Sequence, residues 1–409
     1  MSIVIALLGL GLLVFVHECG HFFASLAVGL RPRKFYVGFP PPLAKFRRGG
    51  IEYGVGTIPL GGFVSIPGMH RPIPNDAERR FFRAVAEAPA LAGPVERVKR
   101  ALAGDDLDLA LDTLDALEEA MGGHTLSPAA LASADKGLTE LRDALGPDAY
   151  WKAATWRRLV AIGAGPVANI VLALVLLTVL FMTSAGKATS VVASVLPATP
   201  AQAAGLHAGD RVVAINGQAV AASGIALHIS RSDGRPLTLT VVREGAVRRL
   251  VPVAARPSGG VYRLGFVLQG AGLGPLEAVG QAFRVTGAVS EQIGRSLGRL
   301  ATGSGRKDVS SPIGITQASS DAVRQGTDSY IWVLALISLS LAIINLFPFL
   351  PLDGGHVFWA VAEKVRGKRI PFEVMERAGV VGFVLILMIF VIGLTNDIST
   401  LSGPGINLR

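Results

Sequence analysis

The chain has 409 residues, 50% of them hydrophobic and only 17% charged, with a mean hydropathy of +0.49. That is too apolar for an ordinary soluble enzyme, and the excess lies in four segments, 2–30, 159–184, 330–350 and 378–395, each near the ~20 apolar residues a bilayer requires. The formal charge of +9 flanks these segments without any nucleic-acid motif, so it points to topology and anionic lipid, not nucleic acid.

Residues 2–30 carry no charge except Glu18, and no Lys or Arg precedes them, so the segment reads as a retained membrane helix and not a signal peptide. Within it stands His17-Glu18-Cys19-Gly20-His21. Central charges in a bilayer cost ~2.5–3.5 kcal/mol each, so such a cluster calls for a cavity and a partner, and a metal is the partner that suits these groups. In a helix, His17 and His21 are one turn apart and present their imidazoles on one face, as zinc requires. Glu18 lies one residue round, close enough to reach a water without occupying a coordination position. Cys19 points ~200° away from His17 and is a packing residue; as the single cysteine it rules out an intramolecular disulfide framework.

The stretch 50–66 contains two glycine-rich apolar runs, Gly50–Thr57 and Ile58–Ile66, that predict a hairpin. It either dips toward the membrane, where such backbone must be buried or line a wet cavity, or lies on the surface. Residues 75–149 hold fifteen Asp or Glu against eight Lys or Arg, with Leu107, Leu109, Leu111, Leu114 and Leu117 spaced through an acidic run, which predicts a soluble helical insert. His70 and His124 are isolated surface residues. Arg31, Arg33 and Lys34, then Arg157 and Arg158, then Lys364, Arg366, Lys368 and Arg369 flank the spans. The positive-inside rule places these groups in the cytoplasm, and both termini and residues 185–329 outside.

Residues 188–268 alternate Val-rich strands with turns. The run Leu196 to Gly217, with Gly205, Gly209, Asp210 and Asn216-Gly217 at turn positions, closely resembles a bacterial PDZ domain, which binds peptides by adding a strand to a sheet edge. His207 and His228 are surface residues of it, and Arg263-Leu-Gly-Phe266 resembles its carboxylate-binding loop. Residues 275–301 place Leu276, Val279, Phe283, Ile293, Leu297 and Leu300 at helical spacing, either on the outer membrane surface or against the PDZ.

The third apolar span ends in Asn345-Leu-Phe-Pro348-Phe-Leu-Pro351-Leu-Asp353-Gly-Gly-His356. Asp353 is the only carboxylate of residues 330–362, and the prolines and glycines interrupt the helix so that it can turn inward. It is the preferred third zinc ligand; His356 is the competitor, otherwise an outer or packing residue. The amides of Asn169 and Asn345 could pair with the open backbone of an unwound substrate or hydrogen-bond between helices.

His-Glu-x-x-His in a span, joined to a distant Asn-x-x-Pro-x-x-Pro-x-Asp-Gly-Gly, resembles the site-2 metalloproteases, peptidase family M50, and the PDZ resembles their bacterial regulator-of-sigma-E branch. The resemblance covers 1–66, 155–268 and 310–395. It implies His17, His21 and Asp353 as ligands of one Zn2+, Glu18 as catalytic base, and Asn169, in Gly165-Pro-Val-Ala-Asn169, and Asn345 as substrate-handling residues. The glycine-rich loop resembles a membrane re-entrant β-loop, and Ser311-Pro-Ile-Gly-Ile315 the stretch before the third span. Two features depart from the pattern: Gly38-Phe-Pro-Pro41 stands where Gly-Phe-Gly-Pro is usual, and the insert is long.

The expected fold is a polytopic α-helical membrane protein with four transmembrane helices, a re-entrant β-hairpin and an inserted extracytoplasmic PDZ. Its regions are 1–74 (first span and loop), 75–150 (acidic insert), 151–187 (second span), 188–270 (PDZ), 271–329 (amphipathic linker) and 330–409 (last two spans). The expected activity is zinc-dependent intramembrane endopeptidase in a bacterial inner membrane, its active site toward the cytoplasm. By the resemblance its substrates are pre-trimmed single-span proteins, such as anti-sigma factors or signal-peptide remnants, with a peptide or protein C-terminus at the PDZ, lipid around the spans and no nucleic acid. The rival readings are a PDZ adaptor with a structural or dead zinc site and a zinc permease.

Overall fold

The computed structural model describes residues 1–104, 106–183, 186–258, 261–306 and 309–401; the side chains at 39, 40, 58–60, 188, 301 and 399–401, and the end of the last expected region, 402–409, lie outside the described residues. The chain opens with α1 (Ser2–Ala27), β1 (Lys34–Arg48) and β2 (Ile51–Ser65), then α2 (Pro74–Glu87), α3 (Ala92–Ala103), α4 (Leu107–Gly122), α5 (Pro128–Leu145) and α6 (Thr155–Thr183). A strand-rich stretch follows: β3 (Lys187–Val195), α7 (Pro200–Ala203), β4 (Arg211–Ile215), β5 (Gln218–Ala219), α8 (Ala222–Ser230), β6 (Pro236–Leu237), β7 (Leu239–Arg243), β8 (Ala246–Arg249), β9 (Val253–Ala254), β10 (Arg256–Ser258), β11 (Val261–Arg263) and β12 (Phe266–Ala271). Helices α9 (Pro275–Ala301), α10 (Pro312–Gln325), α11 (Thr327–Asn345), α12 (Asp353–Arg366) and α13 (Phe372–Leu401) complete it.

Four helices among the described residues are long and apolar enough to cross a membrane: Ser2–Ala27, Thr155–Thr183, Thr327–Asn345 and Phe372–Ile398. They fit a polytopic membrane protein. The last, whose apolar run 378–395 is the shortest of the four, belongs to a helix of 27 residues with a mean hydropathy of 2.7 over its most apolar stretch. Glu373, Glu376 and Arg377 had cut the apolar count, but they fall in its first turns, where charges are tolerated. The shortest is Thr327–Asn345, at 19 residues.

Contacts divide the chain into two compact units. One comprises Leu7–Ile170 and Ser340–Ile389. In it, α1 ends in a Schellman closure: Gly29 takes φ +76°, and the amides of Leu30 and Gly29 donate to the carbonyls of Ser25 and Leu26 at 2.8 and 3.1 Å. Arg157, at the start of α6, donates to the carbonyl of Val28 at 2.6 Å. Helices α2–α5 form the insert around their own core, in which Phe81, Leu91, Leu114 and Leu117 have no exposure, whereas Leu109 of the same leucine run is half exposed. Asp106 and Ser127 cap α4 and α5 by accepting from the Leu109 and Ala130 amides.

The predicted hairpin exists but is longer and more folded than two runs at 50–66. Arg48↔Ile51 to Ala44↔Val55 form its distal arm, while Lys34–Val37 lies between Glu52–Val55 on one side and Gly62–Ser65 on the other. Gly62–Ser65 is therefore an outer edge, and no further strand pairs with it among the described residues. Tyr36 is buried in this sheet, stacks on Phe63 and donates to Glu52 at 2.6 Å. Arg33 ties the base to the insert, donating to Asp143 and Asp148 at 2.8 Å each.

The other unit comprises Met1–Ala6, Val171–Leu339 and Phe390–Arg409. Its sheet runs β12-β3-β4-β7-β8, with β5 paired to β4, and it encloses a core of Val192, Val212, Ile225, Leu239 and Val241. Asn216 and Gly217 have φ of +53° and +80° and make the two-residue turn between β4 and β5. The buried Asp210 accepts from the His207 amide at 2.9 Å and from the Arg243 guanidinium at 2.7 Å. The Arg243 fork holds its carboxyl below the usual carboxylate range. Helix α9 buries its small residues, Ala278 and Ala282, with Leu177, Phe181 and Ala335, while Leu276 and Phe283 are exposed. At the start of α10, Ser311 donates its amide and hydroxyl to Asp397, which also receives the Gly314 amide.

Candidate metal centre

His17 and His21 lie one turn apart on α1 and are both buried. α11 stops at Asn345, the segment 346–352 with its two prolines turns the chain back, and α12 opens on Asp353. The two glycines after Asp353 are required by close approach: a Cβ at Gly354 would lie 2.3 Å from the Leu346 carbonyl, and one at Gly355 would lie 2.4 Å from the Leu350 nitrogen. With the chain returned this way, Asp353 Oδ2 stands 3.1 Å from His17 Nε2 and 3.3 Å from His21 Nε2, and the two Nε2 atoms are 3.2 Å apart.

These three separations decide what the site can hold. Ligands bonded tetrahedrally at zinc's ~2.0–2.2 Å stand roughly 3.3–3.5 Å from one another, close to the triangle observed. Asp353 Oδ2 is buried and has no hydrogen-bond partner among the described residues, which a bound cation would remedy. Two imidazole nitrogens and one carboxylate oxygen are also the donor set of a catalytic zinc, which keeps a fourth position open.

The outer faces of the imidazoles are held by α6. His21 Nδ1 lies 3.0 Å from the Ala161 carbonyl, a donor bond that leaves Nε2 with its lone pair. His17 Nδ1 lies 3.3 Å from the Asn169 side-chain nitrogen, Nδ2. Ala161, Gly165 and Asn169 fall at i, i+4 and i+8, one stripe of α6. A Cβ on Gly165 would come within 2.3 Å of His21 Nε2, and one on Gly20 within 2.4 Å of the Ala164 carbonyl, so both glycines are required for α1 and α6 to meet at this depth.

In front of the three atoms is a cleft of about 570 Å³, lined by Glu18, Gly61, Gly62, Phe63, Asn345 and His356, among others. Gly62 of the edge segment packs against Glu18: a Cβ there would lie 2.7 Å from Glu18 Cγ. His356 is not part of the triangle, and burial pushes its imidazole below its ordinary range.

Nearly the whole chain, residues 5–389, matches one family, described as Peptidase family M50. The chain belongs to family M50. It is similar along its length to "Zinc metalloprotease RasP" of Geobacillus kaustophilus, 27% identical over 415 residues and 97% of each chain. It is also similar to "Probable protease eep" of Enterococcus faecalis, 25% identical over 419 residues, 97% of this chain and 98% of that one. A Rhizobium meliloti relative is 30% identical over 417 residues, 96% of this chain and 95% of that one. As an M50 member the chain is a metalloendopeptidase of the site-2 type, and zinc is the metal its three atoms suit.

The M50 fold thus brings together His17, His21 and Asp353, with Glu18 and Asn345 on the same cleft. Asn169 is expected either to handle substrate or to hydrogen-bond between helices. It is fully buried, does not line the cleft and reaches His17 instead, because its place on the α6 stripe points it at α1. Sequence reading missed Ala161 and Gly165. A backbone carbonyl leaves no residue signature, but the small residues Ala161 and Gly165, four apart in an apolar span, are a helix-contact signal that was there to use.

Proposed function

We propose that this M50 member is a zinc-dependent intramembrane endopeptidase that cleaves the transmembrane segments of single-span proteins, such as anti-sigma factors or signal-peptide remnants. The observation that carries the reading is the triangle of His17 Nε2 and His21 Nε2, on the candidate span α1, with Asp353 Oδ2 at the start of α12, facing a cleft edged by Gly62–Ser65. His17, His21 and Asp353 would hold one zinc ion. When bound, zinc supplies Lewis-acid polarisation of the scissile carbonyl and of water.

Glu18 takes the proton of the attacking water and returns it to the leaving amine. A helical peptide bond is shielded by its own hydrogen bonds, so the substrate must be extended before it reacts. The open edge at Gly62–Ser65 offers amides and carbonyls for an added strand, and Gly62, lacking a side chain, lets that strand approach Glu18. Asn345, on the same cleft, can hydrogen-bond the unwound backbone. The exposed aromatics Phe15, against Phe35, and Phe46, against Tyr53, support a hairpin that re-enters the membrane.

Residues 188–270 are read as an extracytoplasmic PDZ that docks or sizes substrates, 75–150 as a cytoplasmic insert, and 271–329 as a membrane-surface linker, in keeping with the exposed Leu276 and Phe283 on α9. Both termini lie outside. Glu18→Gln should keep zinc bound while cleavage of a transmembrane substrate in vesicles falls by roughly 10²–10⁴-fold; undiminished cleavage removes Glu18 from the mechanism. Asp353→Ala should lose zinc, and full metal occupancy would rule out its place as the third ligand.

A further inference from the structure

We propose that Asn169 is a positioning residue for the metal: its side-chain oxygen accepts the Nδ1 hydrogen of His17 and so directs the Nε2 lone pair of that imidazole at the ion. The inference rests on His17 being a ligand, as read above. A neutral imidazole carries one hydrogen, so Nε2 can bind a cation only when Nδ1 is protonated, and a protonated Nδ1 buried in the protein needs an acceptor. For His21 that acceptor is the Ala161 carbonyl at 3.0 Å. For His17, the group at Nδ1 is the Asn169 amide, placed with its nitrogen Nδ2 at 3.3 Å, on a side chain with no solvent exposure.

An amide end can present either oxygen or nitrogen by a half-turn about its last bond, with almost no change in shape. Only the oxygen serves the metal-binding tautomer. With nitrogen toward His17, Nδ1 must accept, the hydrogen moves to Nε2, and the imidazole presents an N–H to the metal position. With the Asn169 amide turned so that its oxygen faces His17, one stripe of α6 sets both ligands, by a main-chain oxygen at 161 and a side-chain oxygen at 169, with Gly165 between them leaving room for the His21 ring. This differs from substrate handling, which requires Asn169 to reach the cleft.

The test is the zinc affinity of the full-length protein in detergent, measured by competition with a chromophoric chelator, beside KM and kcat of the zinc-saturated enzyme. Asn169→Leu, which removes the acceptor at similar volume, should weaken zinc binding by about 10–100-fold. Asn169→Asp, which can only accept, should restore affinity to near that of the native chain, because a carboxylate–histidine–metal arrangement needs nothing else of this position. If Asp weakens zinc as much as Leu, or if Leu leaves affinity unchanged, the proposal is overturned. A raised KM with unchanged zinc affinity would return Asn169 to the substrate. Retained circular dichroism of the zinc-free Leu variant guards against a folding defect, and Asn169→Asp keeps the question open to decision should Leu fail to fold. His17→Ala is the separate check on the ligand reading: unchanged affinity there would remove the premise and not the tautomer argument alone.

Discussion

The helical insert and the metal-centre region lie in one chain unit and are packed by opposite rules. In α2–α5 the large apolar side chains are inside: Phe81, Leu91, Leu114 and Leu117 have no exposure, and charged residues cover the outside. Around the metal centre the buried groups include His17, Glu18, His21, Ser25 and Asn169, the helices meet at Gly20 and Gly165, and Leu8 and Phe23 face outward with 69% and 64% exposure. The difference is one of solvent. Water drives large apolar groups inward, whereas lipid has no such preference, so helices in it associate through small residues and polar contacts.

The sharpest way to break this comparison is to empty the insert. Phe81→Ala should destabilise α2–α5 by about 3–5 kcal/mol, read as faster hydrogen exchange within residues 74–145, with zinc content unchanged; loss of zinc would mean the two regions fold as one. Lysine substitution at equally exposed positions tests the solvent directly. Val384→Lys, at 56% exposure in the middle of α13, should cost ~2.5–3.5 kcal/mol of membrane insertion. Leu109→Lys, at 50% exposure on α4, should change stability by less than about 0.5 kcal/mol. Equal effects would make α13 a water-facing helix.

Gly165→Ala drives a methyl group into the His21 ring and should cost about 1–3 kcal/mol with a matching fall in zinc occupancy, whereas a Gly→Ala change at the exposed Gly93 of α3, where no atom lies within 4 Å of the new Cβ, should be neutral or stabilising. The smallest effect belongs to the sheet of the other unit. Because Arg243 holds Asp210 below the ordinary carboxylate range, the native form binds fewer protons than the unfolded one in that window. The pair's contribution is therefore complete above about pH 4 and is lost as pH falls through the lower native value. Proteolysis of the 187–271 region should rise on acidification in the native chain, and the acid-dependent part should disappear in Asp210→Asn.

The spans, the insert helices, the turn at Asn216-Gly217 and the convergence of Asp353 on His17 and His21 were legible before any coordinates, because each rests on a local pattern or on the cost of an unpaired charge in an apolar stretch. The extent of the hairpin was not: Lys34–Val37 pairs on both sides, with partners from Glu52 to Ser65, and nothing in a short polar-flanked run announces that. The face of α9 was left open between the outer membrane surface and the PDZ. Large apolar residues at helical spacing mark a buried stripe in water, but here Ala278 and Ala282 are buried and Leu276 and Phe283 are not.

By itself the sequence determined four apolar spans and the pairing of His17 with His21 on one helix face, because hydropathy and an i, i+4 spacing act over a few residues. Only the tertiary structure decided how those imidazoles are held. His21 finds its acceptor 140 residues away at Ala161, and His17 meets the Asn169 amide at a separation of 152, so the neighbours of both imidazoles are set by where α6 packs on α1.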